Sequence, residues 1–145
     1  MEDFSFFNPG KVNPDEVSPA VWAYIGDAVY ELAIRRRLLD NGPTKTRNLH
    51  QEAITRVRAS FQAELLRKLE PHLLEKELDV VKRGRNVKSG RTPTGTEVIT
   101  YRHSTAFEAL IGYLYLSGEE RRLQELLAQI HCFSEEIRNN PERKN

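Results

Sequence analysis

Cysteine is nearly missing: Cys132 is the only one in 145 residues, so no internal disulfide can form. A lone thiol is the usage of reducing compartments, and the cytoplasm is the expected location. Long apolar runs are missing as well, and none reaches the roughly 20 residues of a membrane span, which excludes a membrane partner at this level. The N-terminus, with Glu2 and Asp3, lacks the basic start and apolar core of a secretory signal. Net charge is +1, so overall charge selects no polyanion, and any nucleic-acid contact must come from local clustering. His50 and His72 have no partner at metal-ligand spacing, which leaves surface or packing roles for them, and the His131-Cys132 pair, without such spacing either, is read as packing. No adjacent His-Asp pair supports a histidine-based nucleotide phosphohydrolase. Repeats and alternating strand patterns are absent too, which points to an all-α protein.

What is present suits one globular domain: 39% hydrophobic and 30% charged residues over a length sufficient for a real core. The core is expected over about 15–133, with a polar, frayed tail over 134–145. The lead up to Glu16 is irregular, and Phe4, Phe6 and Phe7 are apolar enough to pack on the body or on a second subunit. Ser18-Pro19 predicts a helix start, running to about Asp40 and stopped by Asn41-Gly42-Pro43. Arg35, Arg36 and Arg37 sit at its C-terminal end, where cations complement the helix dipole. Thr44 or Thr46 is the expected cap of a helix with Leu49, Ala53, Ile54 and Val57 on one face. A break near Arg58 to Ser60 precedes a second run, Phe61, Leu65, Leu66 and Leu69, ending before Pro71. Leu74, Leu78 and Val81 predict the apolar side of a further helix over Leu73 to Val81. Glu97 or Val98 restarts a helix to about Ser117-Gly118, and Leu123, Leu126, Leu127 and Ile130 mark an amphipathic closing helix.

Two stretches stand out. In Ala23-Tyr24-Ile25-Gly26-Asp27-Ala28-Val29-Tyr30-Glu31, the apolar residues Trp22, Ile25, Val29 and Leu32 recur at helical spacing, and Asp27 falls inside their pattern. A buried carboxylate must be paired, hydrogen-bonded or cation-bound. Gly26 weakens the helix by roughly 1 kcal/mol relative to alanine, which suggests that another backbone comes close. In Ser104-Thr105-Ala106-Phe107-Glu108-Ala109-Leu110-Ile111-Gly112-Tyr113-Leu114, Glu108 sits among apolar residues with Gly112 one turn on. Two such helices suggest a shared divalent-cation site, since hard cations such as magnesium prefer carboxylate oxygens. The plain alternatives are an aspartate paired with an arginine, and a Glu108 that closes a capping box with Thr105. Glu31, one turn after Asp27, either assists it or pairs with Arg35.

A third stretch is basic. Lys82, Arg83, Arg85, Lys88 and Arg91 are five cations with no acid among them, running into the turn pairs Ser89-Gly90, Thr92-Pro93 and Thr94-Gly95. This reads as a basic helix end and a flexible loop able to reach phosphates, with Arg83, Arg85, Asn86, Lys88, Arg91 and Arg102 as candidate RNA contacts; His103 is a further candidate. A solvated charge run is the alternative.

Tyr24-Ile25-Gly26-Asp27-Ala28 resembles the second half of the ribonuclease III signature, and Thr105-Ala106-Phe107-Glu108-Ala109-Leu110-Ile111-Gly112 resembles that family's second catalytic helix. With Lys82-Arg83-Gly84-Arg85-Asn86 and Thr100-Tyr101-Arg102, the likeness runs from about Pro19 to Leu116. On this resemblance the length is expected to be taken up by the catalytic domain, with no room for a double-stranded-RNA-binding domain. The resemblance implies a helical-bundle endonuclease domain that cleaves double-stranded RNA with Mg2+, with Asp27 and Glu108 as catalytic and metal-holding residues. It further implies a homodimer, ribosomal RNA precursor of the large subunit (23S) as substrate, and a ribosomal protein on that precursor as a candidate partner. The family usually carries two more acids; Ala23 and Thr105 stand in their places. The reduced set favours a single magnesium with several waters, or a second one brought by RNA phosphate, over a protein-held metal pair. The rival reading is a non-catalytic helical module that binds double-stranded RNA.

Overall fold

Pro19 has its φ preset near the helical value and lacks an N–H that the first helical turn would leave unpaired. It opens α1 (Pro19–Leu39), which is capped by Asp40. The computed structural model describes Phe6 and residues 12–40, 45–88 and 92–140. Among these the further α-helices are α2 (Thr46–Val57), α3 (Ala59–Leu69), α4 (Glu75–Arg85), α5 (Val98–Leu116) and α6 (Glu120–Arg138), with 3₁₀ turns at Pro14–Glu16 and Glu70–His72. No strand occurs among the described residues.

α5 is the axis of the fold. Apart from Glu108, the stretch from Ala106 to Leu114 is apolar on nearly all sides, a pattern that suits a helix surrounded by others. Ala106, Phe107, Ala109, Leu110 and Ile111 are accordingly buried, with α1, α3 and α4 packed around them. Gly84 lets α4 approach closely: a Cβ there would lie 2.7 Å from the Ala109 Cβ and 3.0 Å from the Ala106 Cα. Aromatic edges lock α1 to α5, with Trp22 against Tyr113 at 4.9 Å and Tyr30 against Phe107 at 4.9 Å. The α2–α3 break falls at Arg58, whose extended backbone (φ −61°, ψ 146°) lets the helix stop and restart.

Several expectations need correction. Thr46 is the first residue of α2 and Lys45 its cap; Thr44 lies outside the described residues. On α4 the inward face is Glu77, Val80, Val81 and Gly84, whereas Leu74 and Leu78 are exposed. A glutamate can replace leucine inside because both its oxygens are taken: Arg122 donates to Glu77 through Nε and Nη2, each at 2.8 Å, and the Leu74 N–H donates at 2.9 Å. Leu32 is exposed on α1. α6 continues past residue 133, burying Ser134 and Ile137, so the expected polar tail is helical core through Arg138. Of the N-terminal aromatics only Phe6 is described; its ring lies 5.0 Å from that of Tyr115, whose hydroxyl donates to the Phe6 carbonyl. Phe4, Phe7 and the Asn41-Gly42-Pro43 stop lie outside the described residues.

Candidate active site

The site begins with backbone contact. α1 and α5 run antiparallel and meet at Gly26 and Gly112. A Cβ on Gly26 would fall 1.7 Å from the Glu108 carbonyl oxygen, and one on Gly112 would fall 1.7 Å from the Trp22 carbonyl oxygen. Only glycine fits at either place, as the pairing of glycine with a nearby carboxylate predicted. Gly26 faces α5, so its neighbour Asp27 is turned to the rim of the crossing. Asp27 is therefore exposed rather than enclosed by the apolar pattern, and Glu108, opposite it, is half-buried.

The Asp27 carboxylate acts electrostatically on that of Glu108. Burial, followed by the neighbouring Asp27 carboxylate, pushes Glu108 up to about 9, while the nearby Gln62 amide acts in the opposite direction. Without a cation, the Glu108 carboxyl therefore keeps its proton at neutral pH. The alternatives for these residues do not hold. Among the described residues, no arginine pairs with Asp27. Thr105 is in mid-helix, its hydroxyl donating to the Tyr101 carbonyl at 3.1 Å, so no capping box forms with Glu108. Glu31 pairs with Arg35 at 2.7 Å instead of serving Asp27. Beneath the site, Tyr30 is buried and donates to the Arg56 carbonyl at 2.8 Å, closing the floor beside Phe107.

Gln62 is the member that sequence reasoning passed over. It lies on the same stripe of α3 as Leu65, Leu66 and Leu69, is 2% exposed, and donates from Nε2 to the Val57 carbonyl at 3.2 Å. A glutamine at helical spacing within an apolar run was the available signal.

The donor set suits a hard divalent cation. Asp27 and Glu108 are neighbouring carboxylates, neither in an ion pair among the described residues, and a cation there would offset both the burial and the repulsion that raise Glu108. Among the described residues no cluster of three or more acidic, histidine or cysteine ligands forms, so water or a substrate oxygen would have to complete the shell.

The basic residues divide into different surroundings. Arg83 has its guanidinium over the Trp22 ring at 5.0 Å, tying α4 to α1. Arg85 is half-buried in the last turn of α4, and Asn86 caps that helix through its backbone N–H. Lys88 and Arg102 are exposed, and Arg91 lies outside the described residues. His103 Nδ1 is 2.9 Å from the Ile99 carbonyl, within its own helix. Arg35 to Arg37 are occupied locally, Arg36 with Asp40 at 3.1 Å and Arg37 with His131 at 3.2 Å.

The ribonuclease III domain family matches residues 20–119, the stretch that contains the crossing and the basic segment. The Mini-ribonuclease 3 of Brevibacillus brevis is 48% identical over 123 residues, covering 85% of this chain and 92% of that protein. The Mini-ribonuclease 3 of Symbiobacterium thermophilum is 46% identical over 123 residues, covering 85% and 95% respectively. An X-ray crystal structure of a protein from Fusobacterium nucleatum superposes with a TM-score of 0.71 at 30% identity, covering 79% of this chain and 92% of that one. The fold is thus that of an all-helical endoribonuclease, of a class that acts on double-stranded RNA. The chain belongs to the ribonuclease III family, in its Mini-ribonuclease 3 branch.

Proposed function

We propose that this protein cleaves double-stranded RNA with Mg2+ held by Asp27 and Glu108, and that its substrate is the precursor of large-subunit (23S) ribosomal RNA in the cytoplasm. The observation that carries the reading is the carboxylate pair at the Gly26–Gly112 crossing. Asp27, on the exposed rim, is reachable by a substrate phosphate; Glu108, half-buried, is held by the helices around it. A divalent cation there supplies Lewis acidity for hydrolysis of a phosphodiester. The chain's own contribution is to position two oxygens and to exclude competing cationic side chains from between them. Arg85, Asn86, Lys88, Arg91 and Arg102 bind the RNA backbone in this reading, since duplex RNA is recognised largely through shape, phosphate and 2′-hydroxyl contacts. Arg83 supports them by fixing the helix end against Trp22.

A homodimer belongs to the same proposal. Val21, Tyr24 and Leu32 form an exposed stripe along α1 beside Asp27, with Tyr24 78% exposed. An apolar row of this kind fits a symmetric partner surface. Two sites related by a two-fold axis would each cut one strand. A ribosomal protein bound to the precursor is the candidate further partner.

The test is incubation of the purified protein with duplex RNA and with precursor fragments, in Mg2+ or EDTA. Mg2+-dependent cleavage by wild type and none by Asp27→Asn is the expected result. Duplex binding without cleavage in any divalent cation would favour a binding module. Cleavage of generic duplexes with no preference for the precursor would remove the ribosomal assignment alone.

A further inference from the structure

A polar cleft of about 550 Å³ opens where α3 and α5 begin. Arg58 and Ser60 line it from the α2–α3 break, and Thr96, Glu97 and Thr100 line it from the start of α5. Arg58 is exposed, and its guanidinium forms no ion pair among the described residues. Arginines elsewhere are engaged: Arg35 with Glu31, Arg36 with Asp40 and Arg122 with Glu77. The backbone fixes where Arg58 stands. Its extended conformation separates α2 from α3, and two residues earlier the Arg56 carbonyl accepts from the Tyr30 hydroxyl at 2.8 Å. Tyr30 lies one turn after Asp27, so this break is tied to the helix that carries Asp27. On α5, Thr100, Ser104 and Glu108 recur every fourth residue and share one face. At 1.5 Å of rise per residue, the cleft lies about 12 Å along the helix from Glu108.

We infer that this cleft is a subsite for a backbone phosphate of the RNA, with Arg58 as its cation and the Ser60 and Thr100 hydroxyls as further donors. The inference rests on the double-stranded-RNA reading given above. A guanidinium presents its N–H groups in a rigid fork that matches phosphate oxygens, and that of Arg58 is not taken up by an acid of the protein. Arg58 stands apart in sequence from the basic stretch at the end of α4, so the duplex is gripped from a second segment. Phosphate contacts fix register. A contact at a set distance from Glu108 therefore governs which phosphodiester reaches the carboxylate pair. Glu97 lines the same cleft, and its carboxylate opposes an anion there. Neutralising Glu97 must then strengthen the contact, whereas neutralising Arg58 weakens it.

The test measures duplex RNA binding by the full-length chain in EDTA, so that binding is read without cleavage. Arg58→Ala is expected to weaken binding about tenfold, the scale of one charge-assisted hydrogen bond. It should also reduce the slope of log affinity against log salt by about 0.7 to 0.9, one released counterion. Arg58→Lys keeps the charge and should keep the slope while losing part of the affinity. Glu97→Gln should tighten binding by up to about fivefold, the scale of an exposed charge interaction. A merely structural arginine would lower the urea midpoint of Arg58→Ala and leave the salt slope of the folded protein unchanged, and that result would overturn the proposal. Duplexes carrying one neutral methylphosphonate at a time locate the contact. At one position the substitution should weaken wild type and add nothing in Arg58→Ala, the non-additivity of two changes to one contact. Additive losses at every position would count equally against the subsite. If wild type binds duplex RNA and Arg58→Ala keeps its slope, the subsite alone fails. If wild type binds no duplex RNA even at low salt, the RNA reading fails with it.

Discussion

Gly26 of α1 and Gly112 of α5 meet reciprocally, each leaving room for the other helix's backbone where a Cβ would sit 1.7 Å from a carbonyl oxygen. The collision is with backbone, so no rotamer change relieves it. Gly26→Ala or Gly112→Ala must therefore separate the helices. Each is expected to lose about 3 kcal/mol or more of stability, at the upper end of overpacking costs, read as a lower urea midpoint. Under conditions where the folded fraction is saturated, activity should still be depressed, because separating the helices also parts Asp27 from Glu108. A variant of wild-type stability would contradict the crossing geometry.

The raised Glu108 makes the metal-free protein sensitive to alkaline conditions. The folded state keeps a proton on Glu108 up to about 9, whereas the unfolded chain releases it near the ordinary carboxylate value of about 4.5. Between those two values the native state binds more protons, so stability falls as pH rises. Glu77 and Glu52, held below the usual range with the help of Arg122 and Arg56, contribute their pH dependence as pH drops through the acidic range instead. Glu108→Gln in EDTA should flatten the decline between pH 5 and pH 9 and be more stable than wild type at pH 8.5. Denaturation curves at pH 5, 7 and 8.5 decide this; an unchanged slope in the variant would remove Glu108 as its source.

The same pair ties cation binding to proton release. A cation that binds Asp27 and Glu108 at pH 7 must displace the Glu108 proton, so close to one proton should leave per cation bound. Calorimetry in two buffers of different ionisation enthalpy measures the number. Glu108→Gln should release none, and like Asp27→Asn it should lose cleavage beyond the about 100-fold that a supporting group is worth. Proton release unchanged in Glu108→Gln would place the cation elsewhere.

What could be read from the sequence was local. Ser18-Pro19 marks a helix start because cap and proline are adjacent, and Gly26 and Gly112 signal close approach because a glycine in a good helix calls for a packing reason. What escaped depends on distant partners. Glu77 points inward because Arg122, 45 residues on, satisfies it; without that partner, Leu74 and Leu78 look like the better core face. Ile137 is a lone apolar residue amid charges, and only the body beneath α6 gives it a place to be buried. Asp27 is inside the apolar period, yet the contact at Gly26 rotates it to the rim. Gln62 was hidden because a period count records it as an interruption, while its acceptor, the Val57 carbonyl, lies at a helix break.

Glu77 and Arg122 provide a test of the α4 register. Arg122→Ala leaves Glu77, 4% exposed, without its bidentate partner, and a buried unpaired charge is expected to cost about 3 kcal/mol. Replacing both by apolar residues, Glu77→Leu with Arg122→Met, should recover most of that loss, since it removes the charges together. Thermal or urea unfolding of the three variants checks the order. A single variant no worse than the double would mean that Glu77 faces water.

Arg83 and Lys88, five residues apart, are expected to do different things. Arg83 has its guanidinium over Trp22, while Lys88 is exposed beyond the end of α4. A guanidinium over an indole at an exposed site contributes about 0.5–1 kcal/mol to stability. Arg83→Ala should therefore lower the urea midpoint and affect RNA binding mainly through the displaced helix end. Lys88→Ala should leave stability alone. If Lys88 contacts a phosphate, its removal reduces the slope of log affinity against log salt by about 0.7 to 0.9, the share of one released counterion. Arg85→Ala, Lys88→Ala and Arg91→Ala combined should reduce the slope by about two to three and weaken binding at every salt concentration. The single-turnover rate at saturating RNA should fall far less than in Asp27→Asn, because these residues hold the duplex and do not touch the cation. If the triple variant keeps the wild-type salt slope, the basic stretch is a solvated charge run, and the RNA surface must be sought around Arg102.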